Sequence, residues 1–187
     1  MVMTILKVDS RAGLLEGAIQ RSSPHHDERP VGPPIDTIVI HGISLPPGEF
    51  GSEAIEHFFC GRLDPADHPY FATIATLQVA SHLLIKRTGE IIQFVPFGKR
   101  AWHAGESSFL GRERCNDFSI GIELEGTDDI PYDKMQYTQL ISVIKALMQA
   151  YPDITLNRVV GHADIAPLRK TDPGLVFDWS YLKGNLV

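Results

Sequence analysis

Apolar residues recur along this chain in two rhythms, and the two rhythms separate strands from helices. A β-branched run, Thr37-Ile38-Val39-Ile40, ends at His41, and a second run, Arg158-Val159-Val160-Gly161, ends at His162. Two more strands are predicted over Val79–Ile85 and Ile91–Val95, joined by the turn Arg87-Thr88-Gly89-Glu90. Phe118–Glu125 alternates, with Ile120, Ile122 and Leu124 on one face and Gly121, Glu123 and Glu125 on the other. The helical rhythm is clearest over Tyr132–Tyr151, where Tyr137, Leu140, Ile141, Ile144, Leu147 and Met148 make one stripe before Pro152 stops it. A short helix is predicted over Ser52–Phe59, with Ser52 as its cap. Residues 44–51 and 61–70 read as loops, and the polar, proline-rich stretch 21–36 as an extended lead-in. Strands followed by helices around one hairpin predict an α/β (α+β) fold with a central mixed sheet flanked by helices. The expected organisation is a single domain over 1–187, with 1–36 as lead-in and a core over about 37–180.

Composition narrows the classes of function. Hydrophobic content of 43% and charged content of 21% are ordinary for a globular chain. Seventeen basic against 23 acidic residues give a net charge of −6, which argues against nucleic acid or an anionic membrane as partner. No apolar run approaches the length of a membrane span. Met1–Asp9 lacks the basic start, apolar core and cleavage site of a signal peptide. Cys60 and Cys115 form no CxxC pair, so reduced thiols in a cytoplasm fit best. No obligate protein partner is evident.

The chemistry concentrates in two places. His41 and His162 each follow an apolar run and precede a loop, and strand-borne side chains point predictably. Asp172 stands in a turn fixed by Pro173 and Gly174, close in sequence to His162. Two imidazoles and one carboxylate form a three-ligand set that leaves a coordination position open, as catalytic zinc requires. Lys170, two residues before Asp172, shares its face in an extended segment and is placed to stabilise an oxyanion. Glu123 and Glu125 share one strand face, and either can act as the proton carrier; their spacing does not choose between them. Gly121, beside Glu123, leaves room above the sheet. His82 and His103 lie in apolar stretches and read as structural or substrate-contacting, whereas His25, His26, His57 and His68 lie in polar, exposed segments. HExxH, GxSxG and P-loop motifs are absent.

These segments carry a family resemblance. Ile40–Gly51, His68–Phe71, Arg100–Gly105, Gly111–Asp128 and His162–Gly174 together resemble the zinc-dependent N-acetylmuramoyl-L-alanine amidases, most closely the cytoplasmic type that acts on anhydro-muropeptides. The resemblance runs from about Ser23 to Trp179 and implies the fold shared with peptidoglycan recognition proteins and phage amidases. It implies one zinc ion on His41, His162 and Asp172, with Glu123 as catalytic carboxylate and Lys170 as second catalytic residue. The implied reaction cleaves the amide between N-acetylmuramic acid, in its 1,6-anhydro form, and L-alanine of a small muropeptide during cell-wall recycling. Control of β-lactamase induction is a further consequence the family suggests. Because the stem peptide carries carboxylates, Arg112, Arg114 and Arg169 are candidates to line its path, with Arg114 preferred, and Trp102 and Tyr70 are candidates to contact sugar or peptide. A non-catalytic muropeptide-binding module of the same fold is the alternative. Two positions depart from the family pattern: Gly42 replaces a bulkier polar residue such as asparagine, and Gln78 stands in place of an arginine, with altered substrate affinity expected if those side chains touch the muropeptide.

Overall fold

The computed structural model describes residues 6–187; Met1–Ile5, the start of the segment read above for a signal peptide, lie outside the described residues. Six strands form the central sheet: β1 (Ile19–Gln20), β2 (Thr37–Ile43), β3 (Leu83–Ile85), β4 (Ile91–Gln93), β5 (Ser119–Glu125) and β6 (Val159–Gly161). Their spatial order is β6-β2-β5-β3-β4-β1. β6, β2, β5 and β3 run parallel, β4 turns back antiparallel to β3, and β1 joins the far edge parallel to β4. The mixed sheet flanked by helices is therefore as expected.

One face carries the long helix α3 (Lys134–Ala150). Leu140, Val143, Ile144 and Leu147 are fully buried there against Ile38, Ile40, Ile120, Ile122 and Leu124. Each such side chain stabilises the fold by roughly 1.5–3 kcal/mol, so the helical stripe and the strand alternation select each other. The Gln136 side chain donates to the carbonyls of Ile85 and Glu125, tying the helix start to two strand ends. On the opposite face, α1 (Ala54–Phe59) and α2 (Pro69–Ile74) cover Leu84, Ile92 and Phe94. The one-turn α4 (His162–Ile165) lies over Val39 and Val160, and α5 (Trp179–Gly184) closes the chain.

Several sequence expectations shift. α1 starts at Ala54, two residues late, although the Ser52 hydroxyl does accept the Ala54 N–H. α3 starts at Lys134, which leaves Tyr132 outside the helix and buried. The loop predicted over 61–70 ends in a helix start, where His68 caps α2 by accepting the Tyr70 N–H and Pro69 takes its first position. The predicted strands 79–85 and 91–95 shorten to three residues each. Ala80, Ser81, Phe94 and Val95 are buried there without belonging to either strand, and an apolar pattern reports burial rather than pairing.

The lead-in is also more structured than its composition suggests. His26–Glu28 pairs antiparallel with Lys99–Ala101, and β1 belongs to the main sheet. The Arg29 guanidinium donates to the carbonyls of Phe97, Asn116, Asp117 and Ser119, which clamps the lead-in beneath β5. His25 is buried rather than exposed. Both cysteines are buried free thiols, and no helix among the described residues is long and apolar enough to cross a membrane.

Candidate metal centre

Three adjacent parallel strands, β6, β2 and β5, carry the site towards their C-terminal ends, where α/β sheets characteristically bind ligands. His41 is the fifth residue of β2, not its end, because the ladder continues to Ile43 opposite Glu125. Glu123 pairs directly with His41 across β2 and β5, so imidazole and carboxylate stand at one level on one face. His162 follows Gly161, which pairs with Ile40, and it opens α4 instead of entering a loop. Asp172 returns on a turn pinned from two sides. Ala163 N–H donates to the Asp172 carbonyl at 3.0 Å, and the Tyr132 hydroxyl donates to the Pro173 carbonyl at 3.0 Å. Gly174 has a φ of +84°, and a Cβ there would lie 2.3 Å from the backbone of Asp128, so only glycine closes this turn.

The three expected ligands converge. His41 Nδ1 lies 2.9 Å from His162 Nδ1 and 3.3 Å from Asp172 Oδ2, and His162 Nδ1 lies 3.1 Å from the same oxygen. Both imidazoles are almost wholly buried. The His162 Nε2 partner is the Ala104 carbonyl at 3.2 Å, which can only accept, so the ring proton sits on Nε2 and Nδ1 presents a lone pair. Burial, with the neighbouring His162, pushes His41 down to about 4 against the opposing pull of Asp172, leaving it a neutral imidazole. Two imidazole nitrogens and a carboxylate oxygen this close form a nitrogen–nitrogen–oxygen set that suits zinc.

Around this cluster lies a cavity of about 380 Å³, bordered by Glu123, Lys170, His103 and Tyr70, with an apolar wall that includes Phe58 and Leu77. The geometry separates the two glutamates. Glu125 is fully engaged, accepting the Gly51 N–H at 2.5 Å and the Arg87 N–H at 3.1 Å, and so anchors the loop after β2. Glu123 Oε2 is buried with no hydrogen-bond partner. Burial first, and then Asp172, push its carboxyl well above the ordinary range, against the pull of Lys170. Lys170 is exposed at the cavity edge and takes part in no ion pair among the described residues.

The remaining candidates divide. Tyr70 lines the cavity from α2, and Trp102 lines an adjoining hollow with Gln78, His103, Arg169 and Lys170, its indole N–H donating to Asp27. Arg114 is exposed, 3.4 Å from Asp117, and lines a neighbouring cleft that shares Arg169 with the hollow. Arg112 is committed to Asp36 and stacks on Phe118. Gly42 faces packing: a Cβ there would meet the Tyr132 hydroxyl at 2.3 Å, so glycine at this position sets the seating of Tyr132 beside Pro173. The spacing of the sequence missed His103 as a neighbour of the ligands. It lies over Gly121, where a Cβ would come 2.5 Å from the ring, so the strand glycine was the available signal.

Comparison with known proteins agrees with this geometry. The family model described as N-acetylmuramoyl-L-alanine amidase matches residues 31–175. The 1,6-anhydro-N-acetylmuramyl-L-alanine amidase AmpD of Escherichia coli K12 is 59% identical over 168 residues, covering 90% of this chain and 91% of that protein. The crystal structure of a selenomethionine AmpD derivative superposes with a TM-score of 0.91 at 56% identity, over 94% of this chain and 98% of the other. The E. coli amidase AmiD, solved with the substrate anhydro-N-acetylmuramic acid-L-Ala-D-γ-Glu-L-Lys, is similar at 34% identity and a TM-score of 0.59, over 84% of this chain and 60% of the other.

Proposed function

Because this chain belongs to the N-acetylmuramoyl-L-alanine amidase family, and is an enzyme of that kind, we propose that it hydrolyses the bond between 1,6-anhydro-N-acetylmuramic acid and L-alanine in muropeptides, using one zinc ion. The observation that carries the reading is the unpartnered carboxylate oxygen of Glu123, level with His41 and facing the same cavity as the converging His41, His162 and Asp172. Those three residues hold the zinc ion. Bound there, zinc supplies Lewis acidity for the scissile carbonyl and lowers the pKa of water from 15.7 towards about 7.

The side chains of this chain divide the rest of the work. Glu123 removes the proton of the attacking water and delivers it to the departing alanine nitrogen; its raised carboxyl favours holding that proton between the two transfers. The Lys170 ammonium donates to the tetrahedral oxyanion, a type of contact typically worth about 3–4 kcal/mol. Tyr70 and the apolar wall give the sugar and the alanine a dry surface, and Trp102 does the same from the adjoining hollow. Arg114, in the neighbouring cleft, is placed to meet a stem-peptide carboxylate. A reducing cytoplasm and a part in muropeptide recycling fit the two free thiols and the likeness to AmpD.

Mass spectrometry of products from anhydro-muramyl tripeptide, with and without a chelator, tests the reading. Chelator-sensitive release of free tripeptide and anhydro sugar is expected. Intact substrate in the presence of bound zinc and measurable binding would replace it with a recognition module.

A further inference from the structure

His41 reaches beyond the cluster through its second nitrogen. His41 Nε2 lies 2.9 Å from His103 Nδ1, and His103 Nε2 lies 3.1 Å from the Ser119 hydroxyl oxygen. The Ser119 hydroxyl, 2.6 Å from the Cys115 carbonyl, must donate its single proton there, since a carbonyl only accepts. From that fixed end the polarity of the whole chain follows. Ser119 oxygen can only accept from His103, so the His103 ring proton is on Nε2. A neutral His103 then offers a lone pair at Nδ1, so His41 carries its proton on Nε2. His41 Nδ1 is thereby left unprotonated, facing His162 Nδ1 and Asp172 Oδ2.

We propose that His103 and Ser119 are positioning residues that lock His41 in its Nε2–H tautomer, so that its Nδ1 lone pair is always directed at the metal. The inference rests on the zinc reading above and extends it to residues that touch neither metal nor substrate atoms in that scheme. The surroundings support a fixed orientation. His82, Ser119 and Gly121 enclose the His103 ring, with Gly121 leaving the space it occupies, and the Asn116 side chain accepts the backbone N–H groups of His103 and Ala104. Ala104 also supplies the carbonyl that fixes His162, so residues 103 and 104 orient one imidazole each. Partners of this kind commonly change metal affinity by about 10- to 100-fold when removed.

Two readouts on the zinc-loaded protein decide the matter. In histidine ¹⁵N spectra, His103 is expected as the Nε2–H tautomer, with a pyridine-type Nδ1; in Ser119→Ala it should shift towards the other tautomer or a mixture. In chelator competition, His103→Ala and Ser119→Ala should release zinc at about 10- to 100-fold lower chelator concentration, with Ser119→Thr restoring retention. Wild-type protein that holds no zinc, or holds it unchanged in His162→Ala, would overturn the zinc site itself. Zinc lost in His162→Ala but kept at wild-type affinity in Ser119→Ala, or a proton found on His103 Nδ1, would overturn the relay alone. Ser119→Ala removes a single oxygen, so it reads the relay even where His103→Ala fails to fold.

Discussion

Replacing Gly42 by alanine adds one carbon at a place where the structure leaves no room for it. The new Cβ would sit 2.3 Å from the Tyr132 hydroxyl, whereas the next ring atom is 3.6 Å away. Restoring ordinary contact of about 3.5 Å requires the oxygen to retreat by roughly 1.2 Å. The ring cannot swing aside freely, because its other edge already lies where a Cβ at Gly126 would be, 2.3 Å away. The hydroxyl therefore loses its 3.0 Å bond to the Pro173 carbonyl, directly after Asp172. Overpacking costs about 1–3 kcal/mol and a stranded buried acceptor about 1–3 kcal/mol, so about 2–6 kcal/mol is expected in total. For a chain of this size that lowers Tm by about 4–24 °C. Tyr132→Phe removes the bond and also the clash, so it should cost about 1–3 kcal/mol alone. Gly42→Ala added to Tyr132→Phe should then be neutral, or stabilising by up to about 1 kcal/mol, because glycine loses more freedom on folding. The assay is urea unfolding of the four proteins in excess chelator, since bound metal would add its own stabilisation to the native state. Effects that add to within about 0.5 kcal/mol would refute the steric account.

Other outcomes follow from the same geometry. Glu123→Gln should keep wild-type zinc content by elemental analysis while turnover falls by about 10²- to 10⁴-fold. Glu125→Gln should instead keep turnover within a few-fold and lose about 1.5–3 kcal/mol in urea unfolding, because its oxygens hold the backbones of Gly51 and Arg87. Arg29→Met should destabilise by about 3–5 kcal/mol in the same assay, as several carbonyls lose a charged donor at once; a loss under about 1 kcal/mol would show that the lead-in is not clamped.

Much of this was legible in the residues, for identifiable reasons. Period-two alternation over β5 put Glu123 on the face opposite Ile120 and Ile122, and the two apolar runs ending at histidines located β2 and β6. The three metal-ligand candidates come together as their residue types suggested. Choosing between Glu123 and Glu125 was beyond spacing, because the difference lies in contacts made with Gly51 and Arg87, remote in sequence. The lead-in was misjudged for a similar reason: proline and charge suggest exposure, and Arg29 finds its acceptors among residues 97–119. His68-Pro69 looked like punctuation and is the start of α2, since a capping histidine followed by proline resembles a loop until the helix is seen.

The wide spacing of the ligands along the chain bears on how the metal is acquired. His41 and His162 are 121 positions apart, and Asp172 comes ten residues later still. Between them the parallel pairing of β2 with β5 must close a loop of about 80 residues, a slow and entropically costly step. A growing chain carries only one of the three donors until residues 162–172 emerge. A zinc ion held at this site would consequently recognise a sheet already assembled rather than template the early fold. Metal uptake by a refolding chain should thus report the last event, and the rate of uptake should track the consolidation of the sheet rather than the concentration of zinc.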